Sequence, residues 1–157
     1  IYKKNALNII SNYIEKNKDA DFIFGSVKKH WGILHGYKPH KIKYSWGFYS
    51  SHSTGFFIKR KVAEKVGFYN IKYKYHADYD YFYRLIVKNK MKGISTKKNE
   101  IVGIFRRGGF SSKISFWKKL KEDIRIRYDN GQNIFLLILI FSNKFLRNID
   151  QILKKTI

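Results

Sequence analysis

The chain has 157 residues, 44% of them hydrophobic, which suffices for one domain with a packed core and excludes compositional disorder. It has no cysteine, so disulfide bonds, thiolate metal sites and cysteine nucleophiles are excluded. The 33 Lys and Arg against 11 Asp and Glu give a formal charge of +22, which favours polyanionic partners, although a lysine-rich source genome explains the same charge equally well.

The chain opens with short predicted elements. Apolar residues at helical spacing predict a helix over residues 3–17. The apolar run at 21–27 predicts a buried strand that ends near Gly25. Residues 28–41 are basic and contain the only proline, so we predict a loop there.

The middle of the chain alternates between the two element types. A second strand is predicted where apolar residues alternate, at Ile42, Tyr44 and Trp46. A third strand is predicted at 55–59, followed by a brief helix at 61–66 that Gly67 caps. Residues 77–88 predict a longer helix.

The last part of the chain begins with a predicted strand at 100–105. Two amphipathic, basic helices are then predicted at 115–129 and 133–154. The longest apolar run has eight residues, whereas a membrane-spanning helix needs about 20. Mixed short helices and strands indicate an α/β or α+β fold in one domain, and residues 113–157 form its basic C-terminal helices.

The most informative pattern is an ordered set of short motifs. They are Asp21-Phe22-Ile23-Phe24-Gly25-Ser26, Phe57-Ile58-Lys59-Arg60, Gly67-Phe68-Tyr69-Asn70, Ala77-Asp78-Tyr79-Asp80, Arg84-Leu85 and Gly108-Gly109-Phe110-Ser111. No single motif is specific, but their order and gaps resemble those of family-two, inverting glycosyltransferases of the GT-A type. The resemblance covers roughly residues 1–112.

The resemblance implies a partial GT-A fold, a mixed sheet flanked by helices, that forms the acceptor side of a glycosyltransferase. It implies a nucleotide-sugar donor, a saccharide or lipid-linked acceptor, and Mn²⁺ or Mg²⁺ in the full-length enzyme. We assign the D-x-D at 78–80 to the family's later motif, and therefore expect the nucleotide-binding half and the metal ligands to lie outside this chain.

Asp78 is the residue to which the resemblance assigns catalysis. In the family, this Asp is the general base that takes a proton from the acceptor hydroxyl as the oxygen attacks the anomeric carbon. A carboxylate suits the task because it is ionised at neutral pH. An Asp at the start of a predicted helix is also a standard N-cap, and from the residues alone capping is the preferred interpretation.

Asp80 and Arg84 stand four residues apart, so an ion pair on one helix face is their preferred interpretation. The alternative is substrate binding, with Asp80 orienting an acceptor hydroxyl and Arg84 facing a diphosphate. His52 stands where the family often has a polar residue near the donor sugar, although a lone His is more often structural.

The turn formed by Gly108, Gly109 and Ser111 is a candidate anion site, because it offers backbone N–H groups after two arginines. An ordinary tight turn explains it as well.

Two other functions compete with glycosyl transfer: a basic nucleic-acid-binding module and a non-catalytic fragment. Nucleic acid is disfavoured because the sequence holds no recognisable nucleic-acid motif and such a groove should avoid carboxylates. The basic C-terminal helices fit an anionic membrane surface or a solvated face equally well. We expect a cytoplasmic protein; a membrane-surface role of the C-terminal helices would place it at the inner face of a membrane.

Overall fold

The computed structural model describes residues 1–44, 52–106 and 114–149. It is a mixed α/β structure with two small mixed sheets flanked by helices. The helices are α1 (Ala6–Lys16), α2 (Pro39–Tyr44), α3 (Arg60–Val66), α4 (Ala77–Tyr83), α5 (Phe116–Asp129) and α6 (Ile134–Arg147). The strands are β1 (Phe22–Phe24), β2 (Ser26–Lys29), β3 (Gly32–Leu34), β4 (Phe56–Ile58), β5 (Gly93–Ser95) and β6 (Ile101–Ile104).

Two consecutive strands form the centres of the two sheets. β1 pairs antiparallel with β4 and parallel with β5, whereas β2 pairs antiparallel with β3 and parallel with β6. Only Gly25 separates β1 from β2, and its N–H donates to the carbonyl of Gly55 at 2.7 Å. The prediction of one strand over 21–27 and of one mixed sheet is therefore replaced by two strands in two sheets.

Both faces of β1 are covered, which explains why the strand is apolar at every position. Phe22 and Phe24 pack into a large core formed with side chains of α2, α3, α4 and α5. Ile23 points to the other face and packs with Ala6 and Ile10 of α1. Ile126 of α5 lies in the large core, so α5 packs on the same body as α4, while the predicted boundary at 112 lies outside the described residues.

Several predicted elements are confirmed. α1, β4, α3, β6 and α5 lie where the sequence placed them, with ends that differ by at most three residues, and Gly67 ends α3 with φ of +84°. α6 begins within one residue of its predicted start, and the predicted end at 154 lies outside the described residues. The predicted helix over 77–88 is α4 followed by a π-helical turn (Arg84–Lys88).

Other predictions were wrong. The strand predicted at Ile42, Tyr44 and Trp46 is wrong for the first two, which belong to the helix α2, while Trp46 lies outside the described residues. Pro39 occupies the first turn of α2, where a missing N–H costs nothing, and Ile42 is fully buried. The predicted loop over 28–41 contains the end of β2 and the strand β3. β5 was missed, because its three residues carry no periodicity.

Among the helices of the described residues, none combines the length and the hydropathy that crossing a bilayer requires.

Candidate functional site around Asp78

Asp78 is the second residue of α4 and is half-buried. His76 occupies the N-cap position and makes no side-chain capping bond. Asp78 Oδ1 accepts a hydrogen bond from the backbone N–H of Tyr79 at 2.9 Å. The interpretation of Asp78 as the N-cap is therefore wrong by position, although a carboxylate in the first turn is still stabilised by the positive end of the helix dipole.

The carboxylate of Asp78 acts on four titratable neighbours from separate parts of the chain. Burial lowers the pKa of Lys29, His52 and His76, and the Asp78 carboxylate opposes each of these shifts. Burial raises the pKa of Tyr69, and the Asp78 carboxylate adds to that shift. The fold thus gathers a carboxylate, a partly buried ammonium, two imidazoles and a phenol around the start of α4.

His52 is held in one orientation by two contacts. Its Nδ1 accepts from the backbone N–H of Thr54 at 3.0 Å, and its ring lies on Phe105 with 4.6 Å between centroids. Burial and the nearby Lys29 lower the pKa of His52. The ring is therefore neutral at pH 7, and because Nδ1 accepts, Nε2 carries the hydrogen.

The turn that follows His52 sits where β1 passes into β2. A Cβ on Gly55 would lie 2.3 Å from the carbonyl oxygen of Gly25, so only glycine allows this approach. The contact holds the short 3₁₀ turn (Ser53–Gly55) against Gly25, the residue that joins β1 to β2. It also places His52 beside the end of β2, where Lys29 lies.

Lys29 lies between aromatic rings at the end of β2. Its Nζ is 5.0 Å from the ring centroid of Phe105 and 5.7 Å from that of Trp31. Burial lowers its pKa, and the Asp78 carboxylate opposes that shift. Lys29, Asp78 and His52 therefore lie within electrostatic range of one another and provide a cation, an anion and a neutral hydrogen-bond donor.

Tyr69 forms another part of the surroundings of Asp78. Its ring stacks on Tyr81 with 4.7 Å between centroids and 18° between planes. Burial raises the pKa of Tyr69, with Asp78 as a further cause, so its hydroxyl is protonated at neutral pH.

The predicted ion pair between Asp80 and Arg84 is confirmed. Arg84 Nε donates to Asp80 Oδ2 at 2.9 Å, and Asp80 is only 2% exposed. The other nitrogens of Arg84 donate to the carbonyls of Val66 at 2.7 Å and Phe68 at 2.8 Å. The second oxygen of Asp80 accepts from Asn130 at 2.9 Å. These bonds tie α4 to α3 and α5, and they favour a structural role over the predicted binding of substrate.

Glu122 of α5 is a residue that the sequence did not single out. Its carboxylate accepts from the backbone N–H groups of Lys74 at 3.0 Å, Tyr75 at 2.7 Å and His76 at 2.7 Å. It therefore holds the segment that leads into Asp78. The partners lie 46 to 48 residues away in sequence, and no local pattern connects them.

The predicted site residues are only partly brought together. His52 and Asp78 lie close enough to influence each other, whereas Asp80 turns into the core. Gly108, Gly109 and Ser111 lie outside the described residues. Lys29 and Tyr69 were missed as site residues, although Lys29 follows closely on the apolar run at 21–27, at the carboxyl end of that predicted strand.

A metal site is not found among the described residues. The D-x-D at 78–80 has a counterpart at 19–21, which sequence analysis overlooked. Asp19 forms an ion pair with the side chain of Lys92, and Asp21 accepts from the backbone N–H of Lys92 at 2.8 Å. Within 1–44, 52–106 and 114–149, no group of three potential ligand side chains could hold a metal ion, so we derive no step through a metal.

Comparison of the chain with known proteins finds no matching family model, no similar curated protein and no similar solved structure.

Proposed function

We propose that the chain forms the acceptor side of an inverting glycosyltransferase of the GT-A type and that Asp78 is its general base. The observation that carries the proposal is the position of Asp78 in the first turn of α4, half-buried, beside Lys29 and the neutral His52. The order of motifs that resembles family-two enzymes supports the same assignment.

In the proposed reaction the acceptor hydroxyl attacks the anomeric carbon of a nucleotide sugar. Asp78 removes the hydroxyl proton as the new C–O bond forms. The bond from the anomeric carbon to the nucleoside diphosphate breaks on the opposite face, and the diphosphate leaves with the electron pair. The configuration at the anomeric carbon is therefore inverted. The nucleotide and a divalent cation are expected on residues outside this chain.

The neighbours of Asp78 have proposed roles in positioning. Lys29 supplies positive charge beside the base, and His52 offers an Nε2–H to a sugar hydroxyl, since its Nδ1 is engaged by Thr54. A nucleic-acid groove is supported by the formal charge of +22. It is disfavoured here, because the negative charge of the phosphates would meet Asp78 at the centre of the same set of residues.

The test is transfer activity of the complete enzyme carrying Asp78→Asn. Asn keeps the size of the side chain but cannot accept the proton, so kcat should fall by about 10²–10⁴-fold while the donor KM changes little. Asp19→Asn is the matched control. Asp19 is exposed, lies shortly before the start of β1 and pairs with Lys92. Normal turnover of the Asp78→Asn enzyme would overturn the proposal.

A second measurement concerns the 157 residues alone. Their affinity for UDP with Mn²⁺, measured by calorimetry, should be weak, because the proposed nucleotide and metal sites lie elsewhere. Micromolar binding would show that the nucleotide site has been misplaced.

A further inference from the structure

Helix α6 exposes most of its apolar side chains. Phe135 is 74% exposed and Leu139 is 67% exposed, and Ile134, Ile138 and Phe141 are also exposed. Only Leu137 and Ile140 are buried against the rest of the protein. Leaving such a row of large apolar groups in water is unfavourable, and a contiguous exposed patch of this kind marks an interaction surface.

The patch continues into an open groove between α5 and α6 with a volume of about 530 Å³. Its walls are apolar and include Ile124, Tyr128, Ile138 and Phe141. Lys121 and Arg125 flank the groove on the α5 side. The surface therefore combines apolar area with a basic edge.

The carboxylates of α5 neutralise this edge only in part. Glu122 is bound to backbone N–H groups before α4, and Asp123 is buried in ion pairs with Lys144 and Arg127. Asp129 accepts from Lys72 and Tyr73 and forms a longer ion pair with Arg125 at 3.7 Å, so that one carboxylate is shared between two cations, while Lys121 forms no ion pair with it. Residues 134–147 contain no acidic side chain. Over the described part of the two helices, the charge available to a partner on this face is positive.

We propose that α6 and the neighbouring face of α5, formed by Lys121, Ile124, Arg125 and Tyr128, dock on the surface of an anionic lipid bilayer. α6 lies in the plane of the interface, with Phe135, Ile138 and Leu139 among the upper acyl chains. Lys121 and Arg125 lie at the level of the lipid phosphates. The 14 residues of α6 are too few to cross a bilayer, while exposed Phe and Leu beside a basic edge is the pattern of an interfacial helix.

A second copy of the chain is a poorer occupant. A two-fold interface pairs the same patch with itself, and the described part of α5 and α6 offers no carboxylate without a partner to meet the Lys121 and Arg125 edge. The formal charge of +22 per chain adds repulsion over a longer range. Anionic lipid headgroups instead complement this edge. The inference does not rest on the proposed glycosyl transfer.

The test is sedimentation of the 157-residue protein with vesicles of phosphatidylcholine, alone or mixed with phosphatidylglycerol. We expect binding to the mixed vesicles that weakens as salt is raised. The double variant Phe135→Ser/Leu139→Ser should bind at least about tenfold more weakly, because each substitution removes an apolar group from the interface. Lys121→Glu should weaken binding to the mixed vesicles only.

The matched control is Leu7→Ser/Ile71→Ser, which removes two apolar side chains that are 73% and 96% exposed on other parts of the surface. It should bind as the unchanged protein does. Equal loss in the control variant, or equal binding to neutral and anionic vesicles, would overturn the proposal. So would the absence of binding to the mixed vesicles. A dimer in sedimentation equilibrium that Phe135→Ser/Leu139→Ser dissociates would then identify a second copy of the chain as the occupant.

Discussion

Glu122 on α5 accepts a hydrogen bond from the backbone N–H of His76, at 2.7 Å, one residue before α4 begins. The same carboxylate binds the N–H groups of Lys74 and Tyr75. These groups precede the helix and would otherwise need water as their acceptor. One side chain from a distant helix therefore fixes the direction in which α4 starts and, with it, the position of Asp78.

Replacing Glu122 by Ala should lower the free energy of unfolding by about 1.5–3 kcal/mol, since hydrogen bonds from backbone N–H groups to a charged acceptor are lost. Urea denaturation of the 157-residue chain measures this. Lys121→Ala changes an exposed neighbour and should alter stability by less than about 0.5 kcal/mol. If Glu122→Ala lowered the free energy of unfolding no more than Lys121→Ala does, water would be as good an acceptor for these N–H groups as Glu122.

Replacing Arg84, whose side chain is 19% exposed, by Met should strongly lower the free energy of unfolding. Asp80 is 2% exposed, and its charge would remain buried without its cation, at a cost of about 3–5 kcal/mol. Arg84→Lys should recover only part of the loss, because an ammonium cannot reproduce the planar fork that also binds Val66 and Phe68. Urea denaturation of both variants measures the difference.

The matched control for Arg84 is Arg60, which forms the same i, i+4 type of ion pair with Glu64 at 2.9 Å. Its side chain is 93% exposed, so Arg60→Met should cost no more than about 0.5 kcal/mol. A similar loss for Arg60 and Arg84 would contradict the assignment of the Asp80 pair as a buried structural link.

Local patterns in the sequence predicted much of the fold and one part of the site. The spacing of Asp80 and Arg84 sufficed to predict their ion pair, and Gly67 marked the end of α3 because both signals act within one turn of helix. The division of one apolar run into β1 and β2 could not be predicted, since it depends on the distant Gly55 approaching Gly25. For the same reason neither Glu122 nor Lys29 was linked to Asp78.

Stability should fall as the pH is lowered from about 7.5 to about 5. Burial lowers the pKa of both His52 and His76, so the folded state favours neutral rings over protonated ones. Below about pH 6.5 the unfolded chain binds more protons than the folded chain, and the stability present above that pH is lost as the pH falls through the lower folded-state values. The lowered carboxyl pKa values of Asp19, Glu100 and Asp129 act at lower pH.

The measurement for this pH dependence is the melting temperature across that range. The variant His52→Asn/His76→Asn should show a flatter decline, and the amide oxygen introduced by His52→Asn can still accept from the N–H of Thr54. His35→Asn, at an exposed position, is the control and should leave the decline unchanged. If the melting temperature of the double variant falls as steeply with pH as that of the unchanged protein, other groups cause the pH dependence.

Substitutions of Asp78 separate its structural contribution from its proposed chemical one. Because His76 and not Asp78 occupies the N-cap, Asp78→Ala should lose the first-turn dipole interaction, one local bond and the attraction to Lys29, together about 0.5–2 kcal/mol. Asp78→Asn should lose less, since its amide oxygen can still accept from Tyr79. The proposed role as general base predicts that both variants nevertheless reduce kcat of the complete enzyme by at least about 10²-fold. Urea denaturation of the 157-residue chain and turnover of the complete enzyme, measured for both variants, give the comparison. A large stability loss with preserved turnover would identify Asp78 as a structural residue, whereas small stability changes with lost turnover are what a general base requires.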